Sequence, residues 1–229
     1  MLHPRFSFVT KACFAALVVV SVFSPVVSAS FTTYTSSSSY NAALVSSTVI
    51  TETYEAPAVN TLIASGGTLN GITYNFPTGV NGRIDTIYNR IGGQSLAAER
   101  SGNLTSFFFS GDTVSVTFSQ PVFAVGLFFN ANLTPTNDFF INTPVGNAVT
   151  GGTYDTSTLY FAGLISNTSF TTATFGSVAG RNASYNVDNL SYVNAPANAV
   201  PEPSSLALMS LGGLGLAAWR SRRRKAQLA

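Results

Sequence analysis

Between residues 113 and 118 the apolar side chains Val114, Val116 and Phe118 alternate with the polar Thr113, Ser115 and Thr117. A period of two marks a strand with one buried face. Pro121 breaks the run, and residues 122–129 (VFAVGLFF) resume it with apolar side chains on both faces. That second pattern predicts a strand covered on both sides. Further β-branched and aromatic runs lie at 44–53, 71–76, 84–91, 104–109, 139–142, 158–164, 169–175 and 185–193. Gly66-Gly67, Asn70-Gly71, Asn81-Gly82, Gly92-Gly93, Ser110-Gly111 and Gly151-Gly152 punctuate them as turns. Residues 94–100 are the one stretch suited to a short helical turn, and the serines at 36–39 read as a flexible tract. Many short strands, regular turns and no long repeat predict an all-β domain, an antiparallel β-sandwich over 30–193.

Two apolar segments stand outside this pattern. Arg5 and Lys11 precede the uncharged run 12–23 (ACFAALVVVSVF), and Val27-Ser28-Ala29 places compact residues before Ser30. These features predict a signal-peptide helix over 1–29, taken by the Sec translocon and cut by signal peptidase between Ala29 and Ser30. A buried helix or an uncleaved anchor is the alternative. At the other end, the linker 194–199 leads to Pro201-Glu202-Pro203, then to the uncharged apolar run 204–219. Arg220, Arg222, Arg223, Arg224 and Lys225 follow. As a helix the apolar run rises about 24 Å, short of the ~30 Å hydrocarbon core. It spans a membrane only marginally, with the basic cluster on the cytoplasmic side.

Charge changes the picture of the middle. The chain is +2 overall, yet residues 30–193 hold only Arg83, Arg90, Arg100 and Arg181. Against them stand Glu52, Glu55, Asp85, Glu99, Asp112, Asp138, Asp155 and Asp188: four basic minus eight acidic, or −4. Phosphate backbones require clustered Lys and Arg, so nucleic acid is excluded as a partner. The polar surface must come from Ser, Thr and Asn. The lone cysteine, Cys13, and the lone histidine, His3, both fall in the leader. The domain therefore has no disulfide, thiol nucleophile or Ser-His-Asp set. It has no Gly-x-Ser-x-Gly elbow or phosphate loop either. No motif pairs two of the eight acids in one cleft, so no catalytic residue is assigned and the domain reads as non-enzymatic.

In sequence order, Pro201-Glu202-Pro203, the apolar run with its glycines and the basic cluster resemble the PEP-CTERM sorting signal over 200–225. The same tail is also described as an ice-binding-protein C-terminal segment, a label that carries no ice binding. The resemblance implies an exported protein held transiently in the inner membrane and processed near Pro-Glu-Pro by an exosortase, a membrane cysteine transpeptidase. It also implies delivery to the cell surface or extracellular matrix of a Gram-negative, exopolysaccharide-producing bacterium. A plain C-terminal anchor is the alternative. From 113 to 193 the order SVTF, Pro121, AVGLFF, Gly151-Gly152, YFAGLIS, SFTTATF and VDNLSYV resembles domains often carried by such proteins, and lectin-like or carbohydrate-binding jelly rolls. That resemblance implies a structural Ca²⁺ at Glu55 and Asp188, with Glu52 a weaker third ligand; hard carboxylate oxygens suit that ion. The alternative for Asp188-Asn189 is ordinary strand-end chemistry.

Tyr34, Tyr40, Tyr74, Tyr88, Tyr154 and Tyr160 form the pool for a sugar-stacking platform, with core packing as the competing use. Phe107, Phe108 and Phe109 cannot all point inward from one strand. Three function classes follow. The first is a non-enzymatic envelope or matrix protein binding carbohydrate such as exopolysaccharide. The second is a structural or adhesive matrix component without a small ligand. The third is a glycan-active hydrolase or lyase, which requires two carboxylates in one groove.

Overall fold

The computed structural model describes residues 29–87, 93–100, 107–132, 138–150, 154–155, 157–178 and 184–196. The leader before Ala29, Tyr88, the sorting motif Pro201-Glu202-Pro203 and the basic cluster from Arg220 to Lys225 lie outside the described residues.

The chain opens with β1 (Phe31–Tyr34), α1 (Ser37–Ala43), β2 (Ile50–Glu52) and β3 (Leu62–Ile63). Next come β4 (Gly67–Leu69), β5 (Ile72–Asn75), β6 (Asn81–Asp85), β7 (Ser95–Glu99) and β8 (Phe108–Phe109). The long β9 (Thr113–Asn132) is followed by β10 (Phe139–Thr143), β11 (Gly146–Val149), β12 (Tyr160–Ser177) and β13 (Ser184–Asn194). The pairings are antiparallel. Two layers share the two long strands. The first half of β9 and the second half of β12 lie in the order β11-β10-β12-β9-β5-β4. Their other halves lie in the order β1-β12-β9-β13-β7-β6-β3. Strands that pass between layers through bulges are a known way to close a sandwich.

The corner explains Pro121. The β9–β12 register runs from Thr117↔Thr172 to Val122↔Phe170, so residues 118–121 of β9 face only Thr171. Pro121 sits in that looped-out segment, exposed, where a missing N–H costs no ladder bond. The expected break is instead a bend within one strand, and the expected strands 158–164 and 169–175 likewise merge into β12.

Alternation holds on the inner faces. Ile72, Tyr74, Val114, Val116, Phe118, Ala173 and Phe175 from one layer meet Val125, Leu127, Phe129, Leu164, Val187 and Leu190 from the other in one core. The apolar outer face of residues 122–129 is also accounted for. Ala124, Phe123 and Phe128 join Phe161, Ile165 and Val193 in a second cluster capped by Tyr40 and Leu44 of the α1 region.

Two local expectations are corrected. Residues 95–99 (SLAAE) form β7 rather than a helical turn, paired with β6 along its whole length and buried. Burial between neighbouring strands outweighs the helix preference of Ala and Glu. The serine tract is not a flexible linker: Ser37–Ala43 is α1. Seven residues cannot hold a helix alone, but Tyr40 and Leu44, one turn apart, are buried against the second layer. Of the 44–53 run only Ile50–Glu52 is strand, because Leu44 closes the helix.

Candidate functional site

Tyr40 is positioned by two glycines. Gly126 of β9 and Gly163 of β12 are directly paired. A Cβ at Gly163 would lie 2.9 Å from Tyr40 and 2.8 Å from Phe161; one at Gly126 would lie 3.2 Å and 2.7 Å from the same rings. The bare backbone thus forms a shallow seat for Tyr40, whose ring packs on Phe161 at 5.2 Å and Tyr34 at 5.8 Å. Burial pushes the Tyr40 phenol well above its ordinary pKa.

Between α1, the turn that follows it and β13 runs an open groove of about 530 Å³. Its polar lining comes from Asn41, Ser47, Thr51, Asn189 and Ser191, and its apolar lining from Leu44, Phe128 and Phe161. None of the described lining residues is ionisable. Asn189 has φ 47°, at the register shift between Asp188 and Ser191 in β13. Asn tolerates this left-handed backbone. The bulge leaves Asn189 at the groove and Asp188 buried. Ser191 Oγ donates to the Gly126 carbonyl at 3.0 Å, tying the groove floor to the glycine seat.

Of the acids expected to hold calcium, Glu52 and Asp188 come together where β2 flanks β13, both acting on the Tyr54 ring. The register Glu52↔Leu190 brings Glu52 beside β13, and Val187↔Leu96 brings β7 alongside. Glu52 is buried; its Oε1 accepts from the Tyr54 N–H at 2.7 Å and its Oε2 from Asn70 Nδ2. Asp188 Oδ1 accepts from the Asn189 N–H at 2.6 Å. Burial first, then Tyr74, then the charges of Glu52 and Asp188 raise the Tyr54 phenol, so both carboxylates bear on that ring. Glu55 is exposed and its Oε1 accepts from the Gln94 N–H at 2.7 Å. Among the described residues no three His, Cys, Asp or Glu side chains group as a metal-binding set.

The remaining acids are held by local structure. Asp85 pairs with Arg83 and Asp112 with Arg100. Asp138 Oδ1 accepts from the Val178 N–H at 3.0 Å. Asp155 is held down to about 2 by the hydroxyl and N–H of Ser157. The α1 groove has no carboxylate in its described lining, and a second depression beside Phe76 and Pro77 has one, Glu99. The described geometry therefore offers no carboxylate pair in either groove.

Most of the tyrosine pool is core or packs against it. Tyr40, Tyr74 and Tyr154 are buried, and Tyr34 and Tyr160 are half-buried against neighbouring rings. Phe108 is buried, whereas Phe109 is 42% exposed beneath the Arg100 guanidinium, 5.0 Å from the ring centroid. Ala29 and Ser30, the expected leader cut, are both exposed at the start of the described chain. The groove residues Asn41 and Phe128 were not singled out by sequence reasoning, and Asn189 entered it only as the neighbour of Asp188. The available signals were the two-faced apolar run 122–129 and the four-residue spacing of Tyr40 and Leu44.

Residues 199–224 match the PEP-CTERM protein-sorting motif. The chain carries a PEP-CTERM sorting tail. That tail implies export, exosortase processing and a surface or extracellular destination. No helix among the described residues is long and apolar enough to cross a membrane. Among solved structures, the CBM22-1 xylan-binding domain of Paenibacillus barcinonensis Xyn10C is similar at TM-score 0.38 and 11% identity, covering 66% of this chain and 97% of that one. A mutant of the family 29 carbohydrate binding module CBM29-2 is similar at TM-score 0.35 and 12% identity, covering 69% of this chain and 99% of that one. No curated protein matches the chain in sequence.

Proposed function

We propose that this PEP-CTERM protein is a non-enzymatic component of the cell surface or extracellular matrix of a Gram-negative bacterium, and that its sandwich binds a neutral polysaccharide in the α1 groove. The observation that carries the reading is the lining: hydroxyl and amide groups interleaved with Phe128, Phe161 and Leu44, with no ionisable side chain among the described residues. Sugars present hydroxyl rims around apolar ring faces, so such a surface supplies hydrogen bonds and apolar contact together without a charge to desolvate. Exopolysaccharide is the ligand class that the sorting route favours.

The test is affinity electrophoresis of the purified mature protein through neutral and acidic polysaccharides. Retardation by at least one neutral glycan is expected, with Asn41→Ala or Phe128→Ala weakening it roughly ten-fold. No retardation by any neutral glycan would leave the adhesive matrix reading in its place.

The tail makes its own prediction. Protein recovered from the medium should lack the apolar run 204–219 and the basic cluster, by intact mass, after transient anchoring in the inner membrane. A mass that retains Arg220 to Lys225 would reduce the tail to a plain anchor. Calcium at Glu55 and Asp188, with Glu52 a weaker ligand, is a separate proposal, supported by the hard carboxylate oxygens of Glu52 and Asp188 at the β2–β13 junction. A melting midpoint that a chelator leaves unmoved removes it.

A further inference from the structure

We propose that the outward bulge of β12 at residues 166–169 is a built seat for the α-ammonium group freed when the leader is cut between Ala29 and Ser30. The inference rests on the leader reading and is independent of glycan binding. The β9–β12 register runs from Ala124↔Ile165 to Val122↔Phe170, so residues 166–169 loop out opposite Phe123 alone. The loop brings Asn167 to Ser30. Asn167 Oδ1 accepts from the Ser30 nitrogen at 2.8 Å. The Asn167 N–H donates back to the Ser30 carbonyl at 3.0 Å, and Ser166 Oγ donates to the same oxygen at 3.1 Å. Within the loop, Thr168 N–H donates to Ser166 Oγ at 3.0 Å and Thr168 Oγ1 to Asn167 Oδ1 at 3.2 Å.

Ser30 is therefore gripped at both its nitrogen and its carbonyl, one residue before β1 begins. From there β1 adds to the β12 edge in the register Phe31↔Ser166 to Tyr34↔Gly163. Phe31 lies over Gly146, where a Cβ would fall 2.4 Å from the ring. No slack separates the cut from the strand. A peptidase takes its substrate extended and accessible, so β1 cannot be docked while the Ala29–Ser30 bond is in the enzyme. Hydrolysis adds water across that bond, leaving a carboxylate on Ala29 and an ammonium on Ser30. The single amide donor becomes a charged group with three donors, and its bond to Asn167 becomes charge-assisted. Cleavage thus completes the docking of β1.

The experiment takes mature protein from the producing cell, sequences its N-terminus, and compares the free amine with the chemically N-acetylated form. The first residue is expected to be Ser30. Asn167→Ala is expected to lower the melting midpoint by about 2–4 °C, acetylation by less, because the acetylated nitrogen keeps one amide donor, and their combination by no more than Asn167→Ala alone. Asn167→Asp is expected to restore or raise the midpoint of the free-amine form only. A different first residue overturns the proposal. So does an acetylation effect of the same size in wild type and Asn167→Ala.

Discussion

Asp85→Ala is expected to cost about 3–5 kcal/mol of unfolding free energy, read from urea denaturation of the purified protein. Arg83 and Asp85 stand two apart on β6 and so project from the same face. Their side chains are each only 3% exposed and form an ion pair. The other Asp85 oxygen accepts from the Ile87 N–H at 2.9 Å, where the chain leaves β6. Truncation removes the carboxylate that faces a buried guanidinium, and the cost of keeping that charge buried without it, rather than the lost pair, sets the effect. The double variant Arg83→Met/Asp85→Leu separates these contributions. With both charges gone, most of the lost stability should return, because a well-packed apolar pair often matches a buried ion pair. A loss under about 1 kcal/mol for Asp85→Ala would mean the guanidinium reaches water, and the buried pair could not be a main support of β6.

That pair also shows where sequence reading stops. The period of two at 113–118 and the turn dipeptides were enough for an all-β sandwich, because both arise from neighbours along the chain. Pro121, β7 and α1 were misjudged because each is decided by what packs against it. Pro121 lies at a corner visible only once β12 supplies its register. Residues 95–99 have a helical composition overruled by the length of their pairing with β6. The serine tract is helical because Tyr40 finds a seat made by two glycines distant in sequence. The candidate site follows the same logic. The sorting tail is contiguous and readable, whereas the groove draws Asn41, Phe128 and Asn189 from three separate segments. The acids offered no motif, and each described one proves to be committed to a local bond or a buried setting that spacing alone does not encode.

Tyr40→Ala should remove the groove without unfolding the sandwich. The Tyr40 ring is wholly buried and is the central member of the outer cluster, packed on Phe161 and Tyr34 over the paired Gly126 and Gly163. Loss of a large buried ring costs about 3–5 kcal/mol when its surroundings cannot collapse. Here the loss falls on α1, a seven-residue helix with no side-chain cap and no charged residue in its first or last turn to support it. The inner core of Ile72, Val116, Leu127 and Phe175 belongs to the separate cluster between the layers and keeps its packing. Hydrogen exchange should therefore show α1 amides losing protection while β9 and β12 keep theirs. Retardation by neutral glycan should fall in step, since Asn41 and Leu44 form one wall of the groove. Tyr40→Phe separates ring from phenol. The hydroxyl is buried, and Ser191, the side chain that bears on it, already donates to the Gly126 carbonyl, so its removal should leave stability unchanged or slightly raised. If Tyr40→Ala kept both α1 protection and glycan retardation, the glycine seat would not be what holds the helix, and the groove would not be the binding surface.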